Sequence, residues 1–255
     1  NLITSHLLES TGSTAVSSTG TQDGTYLGAL PTLGADFGQN LTATNDKVNY
    51  GDIGALSGGF TFQTKIKPVD ANVSQQIFSS DSLQSDNTRR LQWRINGNGG
   101  DSNIRIVVFG VGGSIDLNVL GTVFLVDNTE YHVAVSYDPA TGYKTYVNGA
   151  VDINESFTGS VNDTTTIPFL LGGSKTTSGG DFKGQMGDLQ AVTGDFKDSN
   201  RILAEYNNQD DASTFWTTSA WTDQSGGGGT TGTITQTSSS FTQSLAGTVV
   251  LPNTT

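Results

Sequence analysis

The four glutamates of this chain, Glu9, Glu130, Glu155 and Glu205, stand far apart, and aspartate carries most of the acidity. Hydrolysis of a glycosidic bond with retention needs two carboxyl groups about 5–5.5 Å apart, and inversion needs them somewhat wider. Residues two apart on a strand share a face, so a string such as Glu-x-Asp-x-x-Glu would supply the pair from one strand. No such string occurs, and Asp188 has no acid two residues to either side. Only a pair bridging two different strands stays open. The two histidines, His6 and His132, meet no Gly-x-Ser-x-Gly elbow that would suggest an activated serine. The chain has no cysteine, which removes disulfides and thiolate metal sites. The glycine runs Gly97–Gly100 and Gly110–Gly113 lie between strand-like runs rather than ahead of a helix, so they read as hairpin loops and not as phosphate cradles.

The elements that must position these residues are strands. Phe60, Phe62 and Ile66 share one face of a run whose other face carries Gln63, Lys65 and Lys67. Leu91, Trp93 and Ile95 alternate with Gln92 and Arg94, which assigns Trp93 to the core; Ile104, Ile106 and Val108 follow. Tyr131, Val133, Val135 and Tyr137 repeat the pattern, with His132 on the face opposite the valines. A turn at Asp138–Gly142 leads into Tyr143–Val147, closed by Asn148-Gly149, a strong two-residue hairpin signal. Ile167, Phe169 and Leu171 precede a Gly/Ser/Thr loop and the run Phe182–Val192, which carries two glycines where backbones crowd. Many short strands with polar turns predict an all-β antiparallel sandwich of jelly-roll type. One short helix is expected at Ser199–Tyr206, with Asp198 as its cap.

The composition breaks at Ser225–Gly229. The organisation we read is a jelly roll over 1–223, a Gly-rich linker over 224–232 and a β-prone extended tail over 233–255. The tail is too short and too polar to be expected to fold alone. Ile234, Phe241, Leu245 and Val249 are its candidate assembly residues.

A net charge of −12 argues against nucleic acid as a partner, because phosphate binding needs clustered Lys and Arg. No apolar run approaches the roughly 20 residues of a membrane-spanning helix, so membrane insertion is not expected. Sugar binding usually presents an exposed aromatic beside polar groups; Tyr26, Tyr50, Trp216 and Trp221 are the candidates.

Three patches resemble the laminin-G-like, concanavalin A-like jelly rolls of lectins and glucanases. They are Gly51–Pro68, then Glu130–Asp138 with Tyr146-Val147-Asn148-Gly149, then Phe182–Val192 with Leu203–Gln209. The resemblance spans about residues 1–215. It implies binding rather than catalysis, an extracellular setting on a cell surface or virion, and a glycan or a surface or virion protein as partner. The alternative is a structural decoration or spike protein of a phage particle, oligomerised through 233–255; a glycoside hydrolase is the third reading. Many members of the family hold calcium with an aspartate in an early loop and another in the closing strand. Here Ser17 stands at the first position and Gly187 at one of the closing ones, leaving Asp23 and Asp188 as the calcium candidates. Asp188 is equally read as an acceptor for backbone donors near the strand end.

Overall fold

The computed structural model describes residues 2–6, 13–17, 22–28, 32–33, 38–43, 45–80, 89–97, 101–159, 161–163, 167–174, 180–210, 216–218, 230–238 and 241–249. Two antiparallel sheets of eight strands each build residues 1–199. The first runs β14 (Ala150–Glu155), β13 (Gly142–Val147), β12 (Tyr131–Asp138), β7 (Phe60–Pro68), β16 (Gly184–Thr193), β5 (Gln39–Leu41) and β4 (Thr32–Leu33), with β1 (Leu2–His6) also paired to β16. The second runs β11 (Ile115–Phe124), β10 (Asn103–Phe109), β9 (Leu91–Asn96), β8 (Gln75–Ser80), β15 (Leu170–Leu171), β6 (Lys47–Asn49), β3 (Gly24–Leu27) and β2 (Thr14–Ala15).

Alternation in each strand makes the sheets two-sided, and their apolar faces meet. Phe62 of the first sheet lies 5.8 Å from Phe78 of the second, and Phe78 stacks on Trp93 at 5.0 Å. Phe169 closes the cluster against Phe62 at 4.7 Å. These rings, with Ile95, Ile104, Val133 and Leu189, are buried in one core. Offset and tilted aromatic contacts of this kind add to the large apolar area each ring removes from water.

Two turns show local chemistry setting the register. Asn148 and Gly149 both take positive φ, 50° and 74°, which the two-residue hairpin between β13 and β14 requires. Gly184 takes φ 143°, and a Cβ there would strike the Lys67 carbonyl of neighbouring β7. The crowding expected in the Phe182–Val192 run is therefore between β16 and β7.

The second compact unit is residues 200–255. The helix α1 (Ser199–Asp210) starts directly after Asp198 and runs one turn beyond the expected Tyr206. A three-stranded sheet orders as β17 (Trp216–Thr218), β18 (Thr230–Ser238) and β19 (Phe241–Val249). Two expectations are corrected here. The compact division falls at 199/200 rather than at 223, and Thr230–Gly232, read as linker, are strand. The tail pairs within its own chain because Thr/Ser-rich alternation satisfies backbone groups across a hairpin. Ile234 lies opposite Leu245, Phe241 opposite Ser238 and Val249 opposite Thr230.

Candidate functional site

The polar side of the second sheet is built by β8, β9, β10 and β11. Leu91, Trp93 and Ile95 turn inward, which turns Gln92 and Arg94 outward. Ile104, Ile106 and Val108 do the same for β10, leaving Arg105 and Val107 outward. Register then aligns two rows across the strands. Ser79, Gln92, Val107 and Asn118 form one. Gln76, Arg94, Arg105 and Leu120 form the other.

Arg94 and Arg105 stand directly opposite one another, and both are half-buried. Arg105 is held in place by two neutral acceptors, Asn118 Oδ1 at 2.7 Å and Asn96 Oδ1 at 3.1 Å. Among the described residues no carboxylate pairs with either guanidinium. Burial, and then the charge of Arg105, push the Arg94 pKa below the usual arginine value. Arg94 Nε and Gln76 Oε1 are screened from solvent and meet no hydrogen-bond partner among the described residues. The connection leaving β15 runs beside β8: Ser79 Oγ donates to the Gly173 carbonyl at 2.6 Å, and Gln76 N–H donates to the Gly180 carbonyl at 2.6 Å. The result is a floor of half-buried Gln92, Arg94 and Arg105, with Gln76 and Val107 buried in it and Leu120 as an exposed apolar shoulder.

The outer side of the first sheet is also polar, but it is closed. After β16 the chain turns at Gly194 and crosses back, with Lys197 N–H donating to Thr61 Oγ1 at 2.8 Å. Lys197 Nζ and Gln63 Nε2 each donate to Gln190 Oε1 at 2.8 Å. Lys65 Nζ sits 3.0 Å from Glu130 and 3.8 Å from Asp188. His132 lies buried on this side, its pKa lowered from 6.5 to about 4 by desolvation first and then by Lys197 and Lys65. Glu130 and Asp188 are thus two carboxylates on either side of one ammonium, that of Lys65.

The sequence candidates fall as follows. Tyr26 and Tyr50 are corrected: they are 7% and 2% exposed, so neither is an open aromatic platform. Period two turns Tyr26 inward with Gly24, and Tyr50 packs 6.2 Å from Phe169. Burial, and then Tyr26, raise the Tyr50 phenol well above its ordinary pKa. Trp93 is in the core as expected. Trp216 lies in β17, where its backbone alone is described, and Trp221 lies outside the described residues.

The calcium candidates Asp23 and Asp188 each have a partner in the fold. Asp23 Oδ1 accepts the Ser17 N–H at 2.7 Å, closing the early loop on itself. Asp188 sits at a β-bulge with φ 50° and faces Lys65. Asp23 belongs to the approach to β3 in one sheet, and Asp188 to β16 in the other. Among the described residues no group of three or more His, Cys, Asp or Glu side chains gathers into a metal site.

The arginine pair was missed by sequence reading, although its signal was present. Both runs alternate in the phase that turns Arg94 and Arg105 outward, and antiparallel pairing of β9 with β10 sets them face to face.

The sequence model of the concanavalin A-like lectin/glucanases superfamily matches residues 42–200. Domain 4 of AbnA, an extracellular arabinanase of Geobacillus stearothermophilus solved with arabinotriose, is similar at TM-score 0.59 and 16% identity, covering 80% of this chain and 97% of that one. The binding domain of Paraclostridial Mosquitocidal Protein 1 gives TM-score 0.60 at 13% identity, covering 95% of this chain and 67% of that one. The receptor-binding domain of a botulinum neurotoxin C/D mosaic serotype gives 0.60 at 15%, covering 82% of this chain and 51% of that one. At these identities the likeness is one of fold. No curated protein matches the chain. With more than half of its length matched by the family model, the chain belongs to the concanavalin A-like lectin/glucanase superfamily.

Proposed function

We propose that the jelly roll is a non-catalytic glycan-binding module whose ligand lies on the outer side of the second sheet. The observation that carries this reading is the pair Arg94 and Arg105, set face to face on β9 and β10 with no carboxylate among the described residues against either, beside the exposed Asn118. A sugar offers hydroxyls for such groups and C–H faces for the exposed shoulder at Leu120. The similar structures support it: one was solved with a trisaccharide, and two are called binding or receptor-binding domains. The setting we propose is extracellular, as it is for the arabinanase that carries the first of them.

A glycan array of the full chain, with and without chelator, tests this reading beside Gln92→Ala and Asn118→Ala variants. Binding that is at least about tenfold weaker in the variants, and indifferent to chelator, is expected. Glycan binding untouched by both substitutions would move the site elsewhere. Release of reducing ends from bound oligosaccharides would overturn the non-catalytic part.

A further inference from the structure

We infer that the ligand is an anionic saccharide whose carboxylate or sulfate group is received between Arg94 and Arg105. The inference rests on the glycan-binding reading and names its ligand class.

Charge matching carries the argument. Three other cations of the sandwich have a counter-charge built in. Lys47 lies 3.3 Å from Asp181, and Arg90 lies 3.2 Å from Asp163 with Asp52 at 3.8 Å. Lys65 is held between Glu130 and Asp188. Lys197 rests on a neutral amide oxygen, but only Arg94 and Arg105, among the described residues, set two cations opposite each other on paired strands. They are two of five arginines in a chain of net charge −12, so acidic side chains are abundant, yet none among those described is placed against them. Like charges directly opposite on neighbouring strands are unfavourable, and half-burial aggravates the repulsion by weakening solvent screening.

The supports of the pair are equally telling. Asn96 and Asn118 orient Arg105 through amide oxygens. Aspartate at either place would orient it as well and would also cancel its charge. Both positions therefore fix a guanidinium while leaving its charge available. Arg94 Nε and Gln76 Oε1, on the same row, have no partner among the described residues. A guanidinium offers a planar fork of donors that matches the paired oxygens of a carboxylate or sulfate. An anion between the two arginines would turn their repulsion into two attractions, with the exposed Asn118 beside them.

The test uses the full chain and four probes of equal length: oligogalacturonate, its methyl ester, a sulfated oligosaccharide and a neutral oligosaccharide, titrated calorimetrically. The expected result is that at least one anionic probe binds about tenfold or more tighter than the methyl ester and the neutral sugar. That preference falls to near unity in Arg94→Gln and Arg105→Gln, while their melting temperatures stay close to the parent. Arg94→Lys, which keeps charge but loses the fork, recovers part of it. Preference for the carboxylate over the sulfate probe, or the reverse, identifies the group. Equal binding of acid and ester, or a preference that survives both glutamine variants, overturns this inference and leaves the glycan reading standing. No binding of any probe, joined to a blank glycan array, overturns both.

Discussion

The two outer sides of this sandwich are both polar and serve opposite ends. On the first sheet, Gln63, Gln190, Lys197, Lys65, Glu130 and Asp188 form a closed arrangement, folded over by the chain that follows β16. His132 is kept neutral within it. On the second sheet, Arg94 and Arg105 face each other across adjacent strands with neutral amides to orient them. A polar group sealed inside protein must find its partners there, because the desolvation penalty is otherwise unrelieved. A polar group that must greet a ligand has to be left unmatched. The difference separates polarity that holds the fold from polarity that waits for something.

Acid should break the first side and spare the second. His132 is neutral in the fold with a pKa of about 4 against an ordinary 6.5. The unfolded chain therefore takes up its proton first, and stability falls as pH drops from about 6.5 to about 4, then levels off for this group. The loss attributable to His132 is roughly 3 kcal/mol at most. Chemical denaturation at pH 7 and pH 4 should show a markedly smaller acid loss in His132→Gln than in the parent; identical losses would refute the sealed-histidine account.

Gln190→Leu ranks next. It removes the acceptor shared by Gln63 and Lys197 and should lower stability by about 2 kcal/mol in a urea titration, since donors already withdrawn from water lose a partner. An unchanged midpoint would mean that this side is less closed than its hydrogen bonds imply.

On the second sheet the sign should reverse. Arg94→Gln relieves the repulsion with Arg105 and should shift stability by no more than about 0.5 kcal/mol, toward stabilisation. A loss above about 1.5 kcal/mol would make Arg94 a structural residue and erase the contrast. The smallest effect is ionic: at 1 M salt, where screening reaches about 3 Å, the stability gap between the parent and Arg94→Gln should close. A gap that persists would point to packing of the arginine stem rather than charge.

Much of the fold was legible because period-two alternation is a local property. Phe60, Phe62, Trp93 and Val133 declared the core, and Asn148-Gly149 its hairpin, from a handful of neighbours each. The candidate site was not read, because it depends on which strands meet. Tyr26 and Tyr50 were candidates for exposed aromatics, but pairing of β3 with β6 places them beside the core. Asp23 and Asp188 suggested a shared ion, and the sandwich assigns them to different sheets with a backbone N–H and an ammonium as their partners.

The sequence by itself determined that this chain is an all-β jelly roll of the concanavalin A-like superfamily. Alternation, turn residues and family patches are written in short windows of residues. Only the tertiary structure decided which polar groups are matched and which are left open. Arg94 and Arg105 lie eleven positions apart in the chain but face to face in the sheet, and charges act through distance in space.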